Sequence, residues 1–560
     1  MLPALRTFGI VATTAAAALV PAVAQRPAAE LTQWPQGAGP RGDWSTDGPP
    51  TPMHFSATRD QALLWRTPLP EVGQGGIAVV GDKVFVTTMA PWDDRGLDQA
   101  DAAKFAHATE KRRVVGKHLD AHCLDAASGK LLWTRRIDGT VPSIYAYPFS
   151  DATSASPVAD ATRVWFTNAG GTLACFTHAG DPLWQRTFAP TIEGPFNKQF
   201  EPMLVDDPAR GPTAKTLIHM EAFGVGSDNQ DGHPPRWHFL VGLDAGSGKE
   251  LWRSEDALTH YNNPTLVMDS AGTCVLHARG GPHDVPERPV GMSLTRVVGV
   301  DAGKRVWRYE DARGNHEAAL QTMVADARFA YWMLKEPRSA LVLVDRTTGK
   351  EVREISLTKA VAVTAFDPAA GRYETRRDVD LDRGVFPARY SLHAAGGAVY
   401  FQCYATAWGK PTIGPAYSFG RVTIGDDAGG DRVEYLEVPT ASEVDATGTQ
   451  YTWRTPRQAR AINSRGDEVT GDDRSRWDGW DWVFNGTPVR NGERLYFTLA
   501  TGAVYVLRAT DEPFDQRAFL ALNDLGPAGA TWTANSPSLV GGKLLHRTAR
   551  DLLCFGERER

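Results

Sequence analysis

Cysteine is scarce and scattered. The 560 residues hold five, at Cys123, Cys175, Cys274, Cys403 and Cys554, and their odd number and wide spacing specify neither a disulfide framework nor a zinc site. No two are adjacent, and no Cys-x-x-Cys-His haem motif occurs. An excess of positive charge is also lacking: 60 Lys and Arg against 66 Asp and Glu leave a formal charge of -6. This excludes the basic footprint of a nucleic-acid-binding protein. The one basic run, Lys111-Arg112-Arg113, reads as a solvated face. Long apolar runs are missing too. Phe8 to Val20 is apolar but too short to span a bilayer comfortably. Arg6 precedes it and Ala22-Val23-Ala24 follows, so it reads as a secretory signal cut before Gln25. The expectation is an exported protein, periplasmic or extracellular, with a signal peptide over 1–24 and no transmembrane segment.

What is abundant is tryptophan, glycine and proline: 17, 54 and 37 residues. That mix favours many short strands and turns over long helices. Internal repetition decides the fold. Leu124-Asp125-Ala126-Ala127-Ser128-Gly129-Lys130-Leu131-Leu132-Trp133 recurs as Leu243-Asp244-Ala245-Gly246-Ser247-Gly248-Lys249-Glu250-Leu251-Trp252. Shorter copies are Val300-Asp301-Ala302-Gly303-Lys304-Arg305-Val306-Trp307 and Ala179-Gly180-Asp181-Pro182-Leu183-Trp184. The copy at Val344 to Val352 keeps the turn and loses the Trp. In each unit a strand ends at Asp, whose carboxylate can accept from turn N–H groups. Gly supplies the positive φ of a tight hairpin, and the next strand sets Trp at a fixed distance, where it would fill the gap between neighbouring blades. Cys123, Cys175 and Cys554 share one strand context and read as small buried residues. Gly242 and Gly299 read as occupants of the same slot.

Each unit has an upstream half made of strand, turn and strand, as at Val79 to Thr87, Pro157 to Thr167, Val324 to Trp332, Ala394 to Phe401, Val489 to Phe497 and Leu539 to Leu545. The result is an all-β, closed β-propeller of four-stranded antiparallel blades, eight in number with seven as the alternative. Leu63 to Pro68 is an orphan outer strand and Leu552 to Phe555 lacks one, so their pairing would close the ring and remove two open edges. The expected organisation is an N-terminal extension over 25–61 and the propeller over 62–560, with insertions near 89–118, 357–387 and 405–482.

The Asp-x-x-x-Gly-Lys-x-x-Trp unit resembles the PQQ-like (pyrroloquinoline quinone) repeat family. Trp34-Pro35-Gln36, Gly39-Pro40 and Leu64 to Pro70 are similar to the start of secreted bacterial members of that family. The resemblance covers roughly residues 34–560. It implies a propeller, and it links the chain both to quinoprotein dehydrogenases and to the non-catalytic propeller of outer-membrane protein assembly. The dehydrogenases imply PQQ with a calcium ion and commonly a vicinal cysteine pair, which is absent here.

The loops entering each blade's innermost strand, with those joining its second and third strands, would gather polar groups at one channel mouth. Candidate ligand-binding residues there are Tyr145, Glu201, His260, Asn263, Arg279, His283, His316, Glu317, Arg389, Trp532 and Asn535. Arg279 and Arg389 could fork a carboxylate, His260, His283 and His316 could exchange protons, and Glu201, His316 and Glu317 could hold a divalent cation. Trp532 could stack on a sugar ring. The plainer reading is that such residues cap sheet ends and hold channel waters. Trp92 to His118 would be a solvated decoration or a lid on the same face. The expectation is a binding or scaffold propeller for a small molecule, a glycan or a protein partner, with no cofactor assigned and no catalytic residue identified. A carbohydrate-active enzyme and a PQQ-dependent dehydrogenase are the alternatives.

Overall fold

The computed structural model describes residues 32–91, 113–141, 143–145, 151–190, 201–223, 237–259, 262–281, 287, 289–313, 316–335, 339–381, 387–403, 406–407, 410–411, 417–426, 428–445, 448–453, 458–470, 479–480 and 485–558. Residues 1–24, read from sequence as a signal, and Trp92 to Arg112 lie outside them.

Strand follows strand outward from a central axis, and eight such sheets close a ring. The innermost strands, in chain order, are Ala78–Val80, Val158–Ala159, Met203–Asp206, Thr265–Asp269, Val324–Ala325, His393–Ala395, Val489–Asn491 and Ser538–Val540. Closure occurs as the orphan strands imply. Leu63–Pro68 pairs antiparallel with Asp551–Phe555, setting Trp65 opposite Cys554.

The repeat turn does two jobs. Asp125 Oδ1 accepts from the Ser128 N–H at 2.8 Å and from its hydroxyl at 2.6 Å, and Asp244 treats Ser247 in the same way at 2.9 and 2.7 Å. Gly248 stands at φ +71°, and a Cβ there would lie 2.7 Å from the Trp184 ring of the preceding blade. Glycine is therefore needed both for its conformation and for its flat face. The indoles complete the joint between blades. Trp65 Nε1 donates to Ala126 O at 3.1 Å, Trp133 to His178 O at 2.9 Å, Trp184 to Ala245 O at 3.2 Å and Trp307 to Arg346 O at 2.7 Å. Each Trp of one outer strand thus docks on the turn of the next blade.

The cysteine slot is the cross-strand partner of that Trp: Cys123 faces Trp133, Cys175 faces Trp184, and Gly242 faces Trp252. In the fourth blade the slot belongs to Leu294, opposite Trp307. Gly299 instead sits in a longer turn with φ +77°, because that blade's third strand ends earlier, at Arg296. All five cysteines are buried and free.

Blade six departs from the repeat. Its third and fourth strands, Ser418–Thr423 and Arg432–Glu437, lie inside the stretch read as an insertion. The hairpin Val361–Asp367 and Arg372–Val379 adds to its outer edge, Val361–Asp367 running parallel to Arg432–Glu437, so that sheet has six strands.

The N-terminal stretch is built into the ring. Trp34 exchanges backbone bonds with Val79 at 2.9 and 2.8 Å, Pro35 O accepts from Ala159, and Gly42 O accepts from Leu266. The Gln36 side chain accepts from the Leu204 N–H at 2.8 Å. Ser45–Thr46 then runs parallel to Val489–Asn491. One segment therefore touches the innermost strands of blades one, two, three, four and seven, and seals the axis from within. Trp34, Ala38 and Trp44 are buried in the same apolar cluster as Met203, Ile218, Val489 and Leu539.

Candidate functional site

Residues 34–46 run against the innermost strands of five blades, and each of those strands is entered by a loop. Gly73 to Gly76, Asp151 to Ser156, Glu201, Asn262-Asn263, Gln321-Thr322, Arg389 to Ser391, Asn485 to Thr487 and Thr533 to Asn535 come from the eight blades in turn and are almost wholly buried. Asn263 of blade four donates to Thr487 of blade seven. Thr322 lies 3.2 Å from Asn263 and 3.1 Å from Thr487. Blades four and seven stand nearly opposite, so this triangle of side chains crosses the axis.

Around it the loops lock together. Gln74 N–H donates to Thr153 Oγ1 at 2.8 Å, and Gly76 N–H to Ser156 Oγ at 2.9 Å. The Ser156 N–H donates to Glu201 at 3.0 Å. The Asn535 amide donates to the Gln74 and Gly75 carbonyls. Gly75 leaves no room for a side chain, since a Cβ would meet Thr153 O at 2.3 Å. Arg547, fully buried, donates to Thr87 O at 2.6 Å and Gly75 O at 3.2 Å.

Within this packed region four side chains are left over. Gln74 Nε2 and Oε1, Thr87 Oγ1, Ser154 Oγ, and Asn485 Nδ2 and Oδ1 are buried with no hydrogen-bond partner among the described residues. A buried polar group without a partner costs about 1–3 kcal/mol, so such a concentration at one place in a fold calls for a cause. Thr87 Oγ1 would lie 3.3 Å from a Cβ on Gly75, which follows Gln74 in the chain and abuts the carbonyls of Thr153 and Ala155 on either side of Ser154, while Asn485 precedes Gly486, whose Cβ would meet Asn535 O at 2.3 Å.

One side of this region is covered by residues 458–470, part of the third expected insertion. Ser464 Oγ donates to Leu69 O at 2.7 Å, and Arg465 donates to Pro70 O at 2.8 Å and to Glu71 at 2.7 Å. Below this strap Ala459, Ala461 and Val469 pack with Val72, Ala152, Trp532 and Ala534.

The residues singled out from sequence separate into groups. Glu201, Asn263 and Asn535 belong to the axial loops just described. Arg389 is buried in the loop entering blade six, and Trp532 is buried under the strap. Arg279 is buried between blades three and four, where it donates to Ala257 O at 3.0 Å and its nearest carboxylate is Asp256 at 3.7 Å. His260 and His283 lie outside the described residues, as do the side chains of Tyr145, His316 and Glu317. Among the described residues no three His, Cys, Asp or Glu side chains converge in a way that could hold a metal. Sequence reasoning does not single out Gln74, Thr87, Ser154 or Arg547. The one sequence signal for them was the glycine run Gly73, Gly75 and Gly76, whose spacing fits backbone packed against backbone.

Buried histidines make the ring acid-sensitive. Burial, reinforced by the Arg547 charge, takes His122 down to about 4. Burial likewise takes His219 to about 3, with help from the Arg186 charge. His546 also falls to about 3, burial outweighing its bond to the Arg547 backbone. An unfolded histidine titrates near 6.5. Between that value and the depressed native one, the unfolded chain binds more protons, so stability is whole above pH 6.5 and falls as pH drops toward the native values. Each histidine contributes about 1.4 kcal/mol per pH unit in that window. Urea midpoints measured from pH 7.5 to 5 should fall, and His546→Gln should flatten the slope by one proton. A midpoint constant over that range would contradict the buried neutral rings.

These features define the class: an eight-bladed β-propeller whose blades dock through tryptophan and whose two chain ends share one blade. Residues 55–285 match the PQQ_2 family model, described as outer membrane protein assembly factor BamB. No curated protein matches it. Among solved structures, it is similar to a quinohemoprotein alcohol dehydrogenase from Pseudomonas putida, at 13% identity and TM-score 0.46 over 95% of this chain and 81% of that one. A quinohemoprotein alcohol dehydrogenase from Comamonas testosteroni gives 12%, 0.46, 95% and 82%. BamB from Moraxella catarrhalis gives 13%, 0.33, 73% and 95%. At these scores the likenesses carry no functional argument; the fold rests on the chain's own strand order and repeat.

Proposed function

We propose that the chain is an exported binding propeller that acts through the face bearing the loops into the innermost strands. The observation that supports this is the asymmetry of the axis. One stretch is filled by Trp34 to Thr46, while the axial loops hold buried polar atoms with unspent hydrogen-bonding capacity. Function on a rigid scaffold concentrates in such loops.

A quinone cofactor does not fit the described residues. The quinone is a flat tricycle with several carboxylates and needs an open slot. The Asn263, Thr322 and Thr487 side chains cross the axis where such a slot would lie. No group of acidic or histidine side chains among the described residues stands ready for its metal ion. No step through the quinone is therefore assigned.

The test is a thermal-shift panel on the protein from Gln25 onward, holding PQQ with calcium, divalent cations alone, and acidic and neutral saccharides. A ligand at a hundred times its Kd stabilises by about 2.7 kcal/mol. A saturable shift that is lost on substituting axial-loop residues, and kept on substituting the Asp82 and Asp160 turns at the opposite ends of the inner strands, is the expected outcome. A shift that depends on those opposite turns would reverse the assignment of the face.

A further inference from the structure

The outside of blade seven holds a cleft that is separate from the axial loops. It lies between the outer strand Phe519–Asp524 and the hairpin of Ala441–Asp445 with Gly448–Thr452, and its volume is about 370 Å³. Ser442 Oγ donates to Leu522 O at 3.5 Å and sets the hairpin against the strand. A turn of the N-terminal extension completes the lining. Asp524 accepts from the Ser56 hydroxyl at 2.5 Å, and from the Thr58 N–H and hydroxyl at 2.9 and 2.6 Å. These bonds bring Arg59 to the cleft, where its own N–H donates to Ser56 Oγ at 3.1 Å. The Arg59 guanidinium lies 3.8 Å from Asp524 Oδ2, beyond hydrogen-bond length, and has no nearer partner among the described residues. The two side chains are 32% and 23% exposed, so a solute can reach both. Much of the remaining lining is small or apolar, as at Ala441, Ala503, Leu522, Pro527 and Ala528.

We propose that this cleft binds a free α-amino acid with an apolar side chain. An unspent guanidinium forks a carboxylate, so Arg59 takes that end of the molecule. Asp524 Oδ2 accepts one proton, from Ser56, and a carboxylate oxygen has capacity for a second, which the ammonium supplies. The apolar side chain lies against Leu522 and Pro527. A ligand with both charges matches a cation and an anion that stand side by side, whereas a plain acid would meet the repulsion of Asp524 and a plain amine that of Arg59. The volume falls near the lower end of small-molecule sites, about 300–1,000 Å³, and suits one amino acid rather than a polymer. The residues belong to the outer strand of blade seven and its neighbours, so the proposal stands or falls separately from the face assigned above.

The experiment titrates L-leucine, L-methionine and L-phenylalanine into the chain from Gln25 onward, by calorimetry and by thermal shift. Isocaproate and isoamylamine, which are leucine without its ammonium and without its carboxylate, are the comparison probes. The variants are Arg59→Gln, which removes the charge, and Ala528→Trp, which fills the cleft. At least one amino acid should bind saturably to the wild type, and each variant should weaken that binding by about tenfold or more, as loss of a hydrogen bond to a charged group does. Both leucine analogues should bind the wild type more weakly than leucine by a similar factor. The ligand-free midpoints should not change, because Arg59 and Ala528 are exposed. Absence of binding by all three amino acids would overturn the proposal. Isocaproate or isoamylamine binding as tightly as leucine would overturn the ligand class, and that comparison needs neither variant to fold. Wild-type affinity in both folded variants would overturn the site.

Discussion

A chain that starts at Leu69 should not form the native ring. Removal of residues 25–68 takes away the outer strand of the last blade, so Asp551–Phe555 is left as an open edge. It also removes the axial segment that joins the innermost strands of five blades. Trp34, Trp44, Phe55, Leu63 and Trp65 leave the main apolar cluster with it. Loss of a buried large aromatic side chain costs about 3–5 kcal/mol, and a domain's whole stability is about 5–15 kcal/mol. The deficit exceeds what the fold can absorb. Thermal unfolding followed by circular dichroism should show no cooperative transition for the truncated chain, while the chain from Gln25 unfolds in one. A sharp transition at the wild-type temperature would mean that neither closure nor the axial segment matters to the ring.

The second large effect belongs to Asp256, whose carboxylate is fully buried between blades three and four. It accepts from Arg305 and Ser293 at 2.8 Å, from Arg308 Nε at 3.2 Å and from Arg308 Nη2. Burial opposes its ionisation, but the Arg308 and Ser293 bonds and the Arg279 charge prevail and hold the carboxyl below the usual range. Asp256→Ala should destabilise the protein by about 3 kcal/mol, the cost of breaking a buried pair and leaving a charge behind. Most of that falls on buried Arg279, because Arg305 and Arg308 reach solvent and are screened. The contribution is present above the unfolded Asp value and is lost as pH falls through the depressed native one. Urea unfolding of Asp256→Ala and of the double variant Asp256→Ala with Arg279→Met checks the argument. The second change should recover part of the loss. If the double variant is the weaker by the sum of two independent effects, Arg279 is not the stranded charge.

How much of this was legible beforehand depended on distance along the chain. The turn at Asp125 to Gly129 and the Trp that follows form a local unit repeated several times, so the blade, the hairpin and the docking of the indole could all be read. Closure followed from one strand too many at Leu63 and one too few after Phe555. Blade six was obscured because its outer strand, Arg432–Glu437, has no Trp and its outer edge is occupied by the hairpin from Val361. The path of Trp34 to Thr46 carried no periodic signal. Its partners are single backbone groups on strands as far away as Arg490. Of the candidate site, Glu201, Asn263 and Asn535 were found as polar residues at strand entries. Thr87 and Ser154 were not, because a hydroxyl's lack of a partner depends on the surrounding geometry and leaves no mark in composition. Arg279 looked like a ligand for an outside carboxylate because its own, Asp256, lies one strand away on the neighbouring blade.

The pairing of Leu63–Pro68 with Asp551–Phe555 also orders events in time. During synthesis the first of these strands emerges early and its partner nearly five hundred residues later. Until then the early strand has no edge to join, and the last blade does not exist. Contacts so distant along a chain form slowly, so the final blade is assembled only once Asp551–Phe555 has been made. The ring cannot lock shut while that strand is still being made.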